Sequence, residues 1–349
     1  MTALRVSLAV GSYDRTRALF DGRVTAAGID MTVLAIPSAE TFVRMLRHEE
    51  FDVAEMSLAA FASLVAQGDD RFVGIPVFPS RMFRHRDIFV SAAAEITHPS
   101  HLVGKRVGIR RYHMTALVWQ RGILSDEHGI RPQDIRWVSA GIEQAGSIPA
   151  RVALRLPDGV RVEKVTDRTI DEMLLSGELD AGFLNFSPPS FRRGDDLIRR
   201  LYPDPRAVEN QYWRRTGIFP IMHLVVLSRR LYDRAPWVAQ SLLHAFEEAK
   251  DLARAELLHT GGTSPSMLPF FHLDAEDALR AAGGAFWPSG VTANRTTLET
   301  LLRYAAEQGV TERTVTVDEM FAPSAVELSG WEGTVDSALR EPDHDRVWD

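Results

Sequence analysis

The chain has 349 residues, 45% apolar and 25% charged, which is globular composition at about two domains' length and excludes a disordered or fibrous protein. Its 40 basic and 47 acidic residues leave a net charge of −7, which argues against nucleic acid as a partner because phosphate binding needs a basic face. Cysteine is absent, so disulfides, thiol nucleophiles and thiolate metal sites are excluded, and only Lys105, Lys164 and Lys250 among the basic residues are not arginine. Most of the arginines read as composition bias; a few could serve two-point recognition of carboxylates, which arginine does better than lysine.

At the N-terminus, Leu4–Val10 is an apolar run broken by Arg5 and Ser7. That alternation predicts a first strand rather than a secretory leader, and no stretch is apolar for long enough to span a membrane. A cytoplasmic protein with no membrane partner is therefore expected. Strands follow at Asp30–Ile36, Asp52–Met56, Phe72–Phe78 and Ile88–Ala92, with a helix over Ala39–His48 where Phe42, Met45 and Leu46 recur at helical spacing. A second set comprises strands Lys105–Arg110, Ile135–Ser139, Val160–Val165 and Leu179–Leu184, with helices near Thr115–His128 and Ile170–Ser176. Ala140–Gly159 is rich in Gly, Pro and Ala and reads as a long loop or hairpin. A strong strand at Ile218–Ser228 precedes a helical region at Ala235–His259, Ala275–Ala282 and Arg295–Gln308, and beyond Ser324 the chain is acidic and weakly patterned.

Strand–helix alternation of this kind predicts an α/β protein of two lobes, each a mostly parallel sheet flanked by helices. Residues 1–92 and 218–349 would form the first lobe, with its helical C-terminal part, and 93–217 the second. Two crossing strands would leave a hinged cleft, where ligands of open α/β sheets lie.

Five segments carry candidate chemistry. In GSYDRTR, Asp14, Arg15 and Arg17 follow the first strand where a helix begins, a place that favours anions; the pattern equally fits a capping Asp14 and solvated arginines. EMSLAAF sets Glu55 and Ser57 at a strand end, as a base and a hydroxyl or as a surface carboxylate and a cap. FPSRMFRHRD packs Arg81, Phe83, Arg84 and His85 into one anion-binding loop beside an aromatic wall. GIRRYHMTALVW brings Tyr112, His113 and Thr115 to a helix start facing the cleft, and His223 interrupts the apolar run GIFPIMH. Motifs of zinc peptidases, α/β-hydrolases, P-loop and dinucleotide-binding proteins are absent.

The ordered blocks GSYDRTRALFDG, GIDMTVL, FVRMLRHEEFDVAEMSL, GIPVFPSRMFRH, YHMTALVWQRGIL and YWRRTGIFPIMH resemble the 4,5-dihydroxyphthalate decarboxylase family from about Leu4 to Phe321. The resemblance implies a fold like that of type II periplasmic solute-binding proteins and a small aromatic acid as the substrate. It also implies a decarboxylase for a dihydroxylated aromatic dicarboxylate, with a homo-oligomer expected. Such chemistry asks for an acid above the ring, a partner for a hydroxyl and cations for carboxylates, but for no organic cofactor. On this reading Arg81 and Arg84, with Arg15 or Arg17, hold oxygens; His85 or His223 is the acid; Asp14 or Glu55 holds or deprotonates a hydroxyl. The family tends to carry an arginine where GFLNFSPPSF, holding Asn185 and Phe186, stands here, and often glutamine in place of His113, which points to a more apolar ligand. Two alternatives are a solute-binding protein for an aromatic acid and a metal-assisted lyase using His85, His113 or His223.

Overall fold

The computed structural model describes residues 3–146, 154–258, 264, 266–282 and 287–326. Parts of the Ala140–Gly159 segment and most of the acidic tail lie outside the described residues. The alternating first segment forms β1 (Leu4–Val10), followed by α1 (Asp14–Phe20), β2 (Ile29–Ala35), α2 (Ser38–His48), β3 (Val53–Ser57), α3 (Leu58–Ala66) and β4 (Phe72–Arg81). Then come β5 (Ile88–Ser91), β6 (Arg106–Ile109), α4 (Thr115–His128), β7 (Arg136–Gly141) and β8 (Val162–Thr169), with α5 (Ile170–Leu175), β9 (Ala181–Phe183), β10 (Ile198–Arg200) and β11 (Ile221–Ser228) after them.

The strands assemble into two sheets, ordered β2-β1-β3-β11-β4 and β10-β5-β9-β6-β7-β8. Each is mixed by a single reversed strand, β11 in the first and β5 in the second, while the remaining strands share one direction, as expected of mostly parallel lobes. In the first, β1 runs parallel to β2 and β3, but β11 inserts between β3 and β4 antiparallel to both. In the second, β6, β7, β8 and β9 are parallel, and β5 opposes β9 and β10. Parallel neighbours need a helical crossover, whereas β5 and β11 are the strands that arrive directly from the opposite lobe and so enter reversed. Ile88–Ser91, placed by sequence in the first lobe, pairs in the second sheet. We propose on strand membership that the first lobe runs through Arg81 and resumes at Ile221.

One face of the first sheet packs on α3, α4 and the helix Arg295–Glu307, where Phe61, Trp119, Leu298 and Tyr304 are all buried. The other face packs on α1 and the helix Val238–Leu258 through Leu8, Leu19, Val225, Leu242 and Phe246. Phe89, Val138, Ile170 and Leu174 form the core between the second sheet and α5. The α4 helix, although it belongs to the second lobe by sequence, is tied into the first. Trp119 Nε1–H donates to the Ile221 carbonyl at 2.9 Å, and Arg121 Nε–H to Gln308 Oε1 at 2.8 Å. No helix among the described residues is long and apolar enough to cross a membrane.

Candidate functional site

A pocket of about 160 Å³ opens between the two sheets. Its wall draws on the first turns of α2 (Ser38, Ala39), α3 (Ala60) and α4 (Thr115, Ala116), on Arg84, on Arg110–Met114 without Tyr112, and on β11 through Met222 and His223. Helices expose unsatisfied N–H groups and positive dipole ends at their N-termini. None of the three helices has a side-chain bond from its own N-cap residue, Pro37, Ser57 or Met114. For α3 the missing cap comes from the other lobe: Thr115 Oγ1 accepts the Ala59 N–H at 3.1 Å and lies 2.9 Å from Ser57 Oγ. The rest of the wall mixes basic side chains with Phe42, Leu46, Met114, Asn185 and Met222. Arg84, Arg110, Arg111, His113 and His223 line it, and no carboxylate does so among the described residues.

Arg84 is buried, with Nη1 donating to Asp87 Oδ2 at 2.8 Å and to the Asn185 carbonyl at 3.4 Å. Burial pulls its ionisation down, and Asp87 works the other way. Arg110, half-buried at the carboxyl end of β6, makes no side-chain hydrogen bond or ion pair among the described residues. It is a cation placed for an anion from outside.

Behind this wall stands Glu55. Strand β3 is buried on both faces, and a carboxylate inside it is tolerated only if paired. Glu55, 0% exposed, accepts the Gly11 N–H at 3.0 Å, the Tyr13 hydroxyl at 3.0 and 3.2 Å, and His223 Nδ1–H at 2.5 Å. Burial alone would push its carboxyl up; the bonds from His223, Gly11 and Tyr13 outweigh that and hold it below the usual carboxylate range. Donating from Nδ1 fixes the imidazole orientation and leaves Nε2 with no partner among the described residues. The β11–β4 register is irregular on both sides of His223, and such a bulge re-aims a side chain. Phe42 meets the imidazole edge-on, with centroids 4.9 Å apart.

Of the residues singled out by sequence, Ser57, Arg84, His113, Thr115, Asn185 and His223 meet at this pocket, with Glu55 directly behind. The others do not. Arg81 turns inward, donating from Nη2 to the Pro288 carbonyl at 2.6 Å and Asn294 Oδ1 at 2.5 Å, and burial lowers its ionisation to about 9. His85 is buried between Tyr202 and Tyr212, and burial lowers it to about 4. Phe83 stacks on Phe219, Tyr112 lies under the Arg121 guanidinium, and Phe186 packs against the core of the second sheet. Asp14 pairs with Arg15, whose guanidinium lies between Tyr13 and Trp287, and Arg17 is exposed. Of the dense arginine run only Arg84 reaches the pocket: Arg81 ends β4 bonded to Asn294, and Arg84 lies in the turn beyond it.

Sequence reasoning missed Tyr13, Ser38, Phe42, Arg110, Arg111 and Met222. Arg110 and Arg111 carried a usable signal, since they directly follow β6 at the strand end where ligands sit. For a metal, His85 lies elsewhere, and among the described residues no group of three or more His, Asp or Glu side chains is placed to hold an ion. The donor set of the metal-assisted alternative does not assemble.

No family model matches the chain. It is 35% identical over 328 residues to a 4,5-dihydroxyphthalate decarboxylase from Comamonas testosteroni, covering 94% of this chain and 99% of that protein. It is 37% identical over 215 residues to a protein of the same description from Pseudomonas putida, covering 61% and 83%. Among solved structures it is similar to the periplasmic aliphatic sulphonate binding protein of Escherichia coli, with a TM-score of 0.52, 14% identity and coverage of 94% and 99%. At that identity the likeness speaks for the fold alone, which is that of the type II periplasmic binding proteins.

Proposed function

Because the chain belongs to the 4,5-dihydroxyphthalate decarboxylase family, we propose that it removes carbon dioxide, without net oxidation, from a hydroxylated aromatic carboxylate bound between its two sheets. The observation that carries this reading is the Glu55–His223 pair, set at the wall of a pocket whose lining includes three arginines and three helix N-termini.

Chemistry of this kind turns on protonating the ring carbon that bears the carboxylate. A hydroxyl para to it, held as phenolate, raises electron density at that carbon. His223, as imidazolium, gives its Nε2 proton there, and a carbon–hydrogen bond forms at the cost of aromaticity. The carbon–carboxylate bond then breaks, its electron pair returns to the ring, and carbon dioxide leaves. The product phenolate takes a proton from solvent, and His223 regains its own from the hydroxyl of the next substrate as that becomes the phenolate. Glu55 touches no substrate on this reading; its charge orients the imidazole and stabilises the imidazolium. Arg110, Arg84 and the N–H groups of α2 and α4 stabilise the phenolate and hold a second carboxylate.

Three arginines at the pocket also bear on the substrate. Phe186 packs in the core rather than at the wall, so the aromatic there does not make the pocket apolar. The cations present suit a dicarboxylate such as 4,5-dihydroxyphthalate. Incubation with a panel of hydroxylated aromatic mono- and dicarboxylates, following carbon dioxide and ring absorbance, tests the proposal. Turnover that disappears in His223→Gln supports it. Tight binding of an aromatic acid with no carbon dioxide from any member of the panel would replace it with the solute-binding alternative.

A further inference from the structure

We propose that Tyr13 is a positioning residue for His223, acting through Glu55, and that Arg15 and Trp287 form the clamp that keeps it in place. This rests on the reading of His223 as the proton donor. Tyr13 does not line the pocket, so it meets no substrate there. Its hydroxyl donates to Glu55 Oε1 at 3.0 Å, the same oxygen that accepts His223 Nδ1–H at 2.5 Å. Two donors therefore divide the charge of one oxygen, and what one takes the other loses. The phenol stays a donor at all working pH, since burial and the neighbouring Glu55 charge both push its ionisation up.

The ring is closely packed. Gly11 leaves room for it: a Cβ there would lie 2.3 Å from the Tyr13 ring. The Arg15 guanidinium stands 4.3 Å from the Tyr13 centroid and 4.2 Å from that of Trp287. Arg15 Nε–H donates to the Pro79 carbonyl at 2.6 Å, and the Trp287 indole N–H to the Phe78 carbonyl at 2.8 Å. Trp287 adopts φ +64°, a left-handed conformation that bulky residues avoid and that persists only where the surroundings impose it. A strained tryptophan closing a stack onto the donor to Glu55 is the arrangement expected of a support for the imidazole.

The test is Tyr13→Phe, which keeps the ring and its clamp and deletes only the hydroxyl. Without that donor the Glu55 charge falls more fully on His223, and the imidazolium holds its proton more tightly. The NMR titration midpoint of the His223 ring should move up by about one unit, the size expected when a charged group loses one hydrogen bond. The basic limb of kcat/KM should move with it, and kcat at neutral pH should fall about 10-fold, since a tighter acid transfers its proton less readily. The other charged or titratable groups facing His223 across the pocket are Arg84, Arg110, Arg111 and His113, and the substitution leaves them all in place. An unmoved titration midpoint overturns the proposal, even where activity falls, because a purely structural role would give that result. Trp287→Leu should move the midpoint in the same direction; a wild-type midpoint there overturns the clamp. The NMR arm needs no substrate, so it decides Tyr13 even where the decarboxylase reading fails.

Discussion

Glu55 and His223 are diagonal neighbours on one face of the antiparallel β3–β11 pair: His223 registers with Ser57, Glu55 with Val225, and Oε1 and Nδ1 lie 2.5 Å apart. The carboxylate is wholly enclosed, whereas the imidazole is 19% exposed at the pocket wall. Enclosing the partner that is never consumed and exposing the one that must exchange protons is a division of labour that two surface residues could not provide. Glu55→Gln preserves shape and removes the charge, so we expect kcat to fall about 10²- to 10⁴-fold, the range for losing a positioned acid or base. His223→Gln should fall as far, and the double variant little further, because the two act as a unit. Steady-state kinetics of the three variants decide this; additive losses would mean that the residues work separately.

Arg110 is a half-buried guanidinium with no hydrogen-bond or ion-pair partner among the described residues, facing a pocket with no described carboxylate on its wall. A charge-assisted bond to a substrate carboxylate is worth about 1.5–3 kcal/mol, or roughly 10- to 100-fold in affinity. Arg110→Met should therefore raise KM for a hydroxylated aromatic dicarboxylate by about that factor and leave KM for the matching monocarboxylate nearly unchanged. Equal losses for both substrates would show that Arg110 shapes the pocket without reading the second anion.

How far the site was legible depends on which physical rule governed each residue. Leu4–Val10 and Thr115–His128 were readable to the residue, because one has a clear alternation and the other a helical apolar face closed by Gly129. His223 was visible as a polar residue interrupting an apolar strand, where buried polar groups demand partners, and Glu55 only as a carboxylate at a strand end. That they partner each other was not visible, since pairing β11 between β3 and β4 brings together residues 168 apart in sequence. Arg81 misled for a related reason: it shares one arginine-rich run with Arg84, yet it ends β4 and bonds to Asn294 and the Pro288 carbonyl instead of reaching the pocket. Ile88–Ser91 looked like one more strand of the first sheet, because a short apolar run carries no record of which sheet it joins.

His85 offers a test of stability against pH. It is 2% exposed, neither ring nitrogen has a hydrogen-bond partner among the described residues, and burial lowers it to about 4 from an ordinary value of 6.5. Between those two values the unfolded chain takes up a proton that the folded protein refuses. The associated stability is complete above pH 6.5, is lost as pH falls towards 4, and changes no further below that. A shift of this size corresponds to about 3 kcal/mol. In His85→Phe, which keeps the contacts with Tyr202 and Tyr212, that portion of the acid sensitivity should vanish. Denaturant unfolding at pH 7 and pH 4.5 should show a smaller drop for the variant than for the wild type; identical drops would mean that His85 is accessible to protons in the folded state. Activity at pH 7 should be nearly unchanged, since His85 lies off the pocket.

The first residues of α4 form part of the pocket, so what fixes α4 also fixes the site. Its midpoint, Gly122, passes so close to the helix Arg295–Glu307 that a Cβ there would lie 2.1 Å from the Tyr304 ring. The ring cannot give way easily: Tyr304 is 1% exposed, its hydroxyl donates to Asp126 Oδ2 at 2.6 Å, and its face meets Trp119 edge-on at 5.7 Å. Gly122→Ala gains helix propensity of about 1 kcal/mol but forces overpacking that costs about 1–3 kcal/mol, so clash outweighs propensity and the protein should be less stable. The consequence should reach the pocket, because moving α4 shifts Thr115 away from Ser57 and from the Ala59 N–H that it caps. We expect a Tm lowered by a few degrees together with a raised KM, with Thr115→Val reproducing the rise in KM. A Gly122→Ala variant that melts and turns over as the wild type does would show that the two lobes are not locked together through this helix.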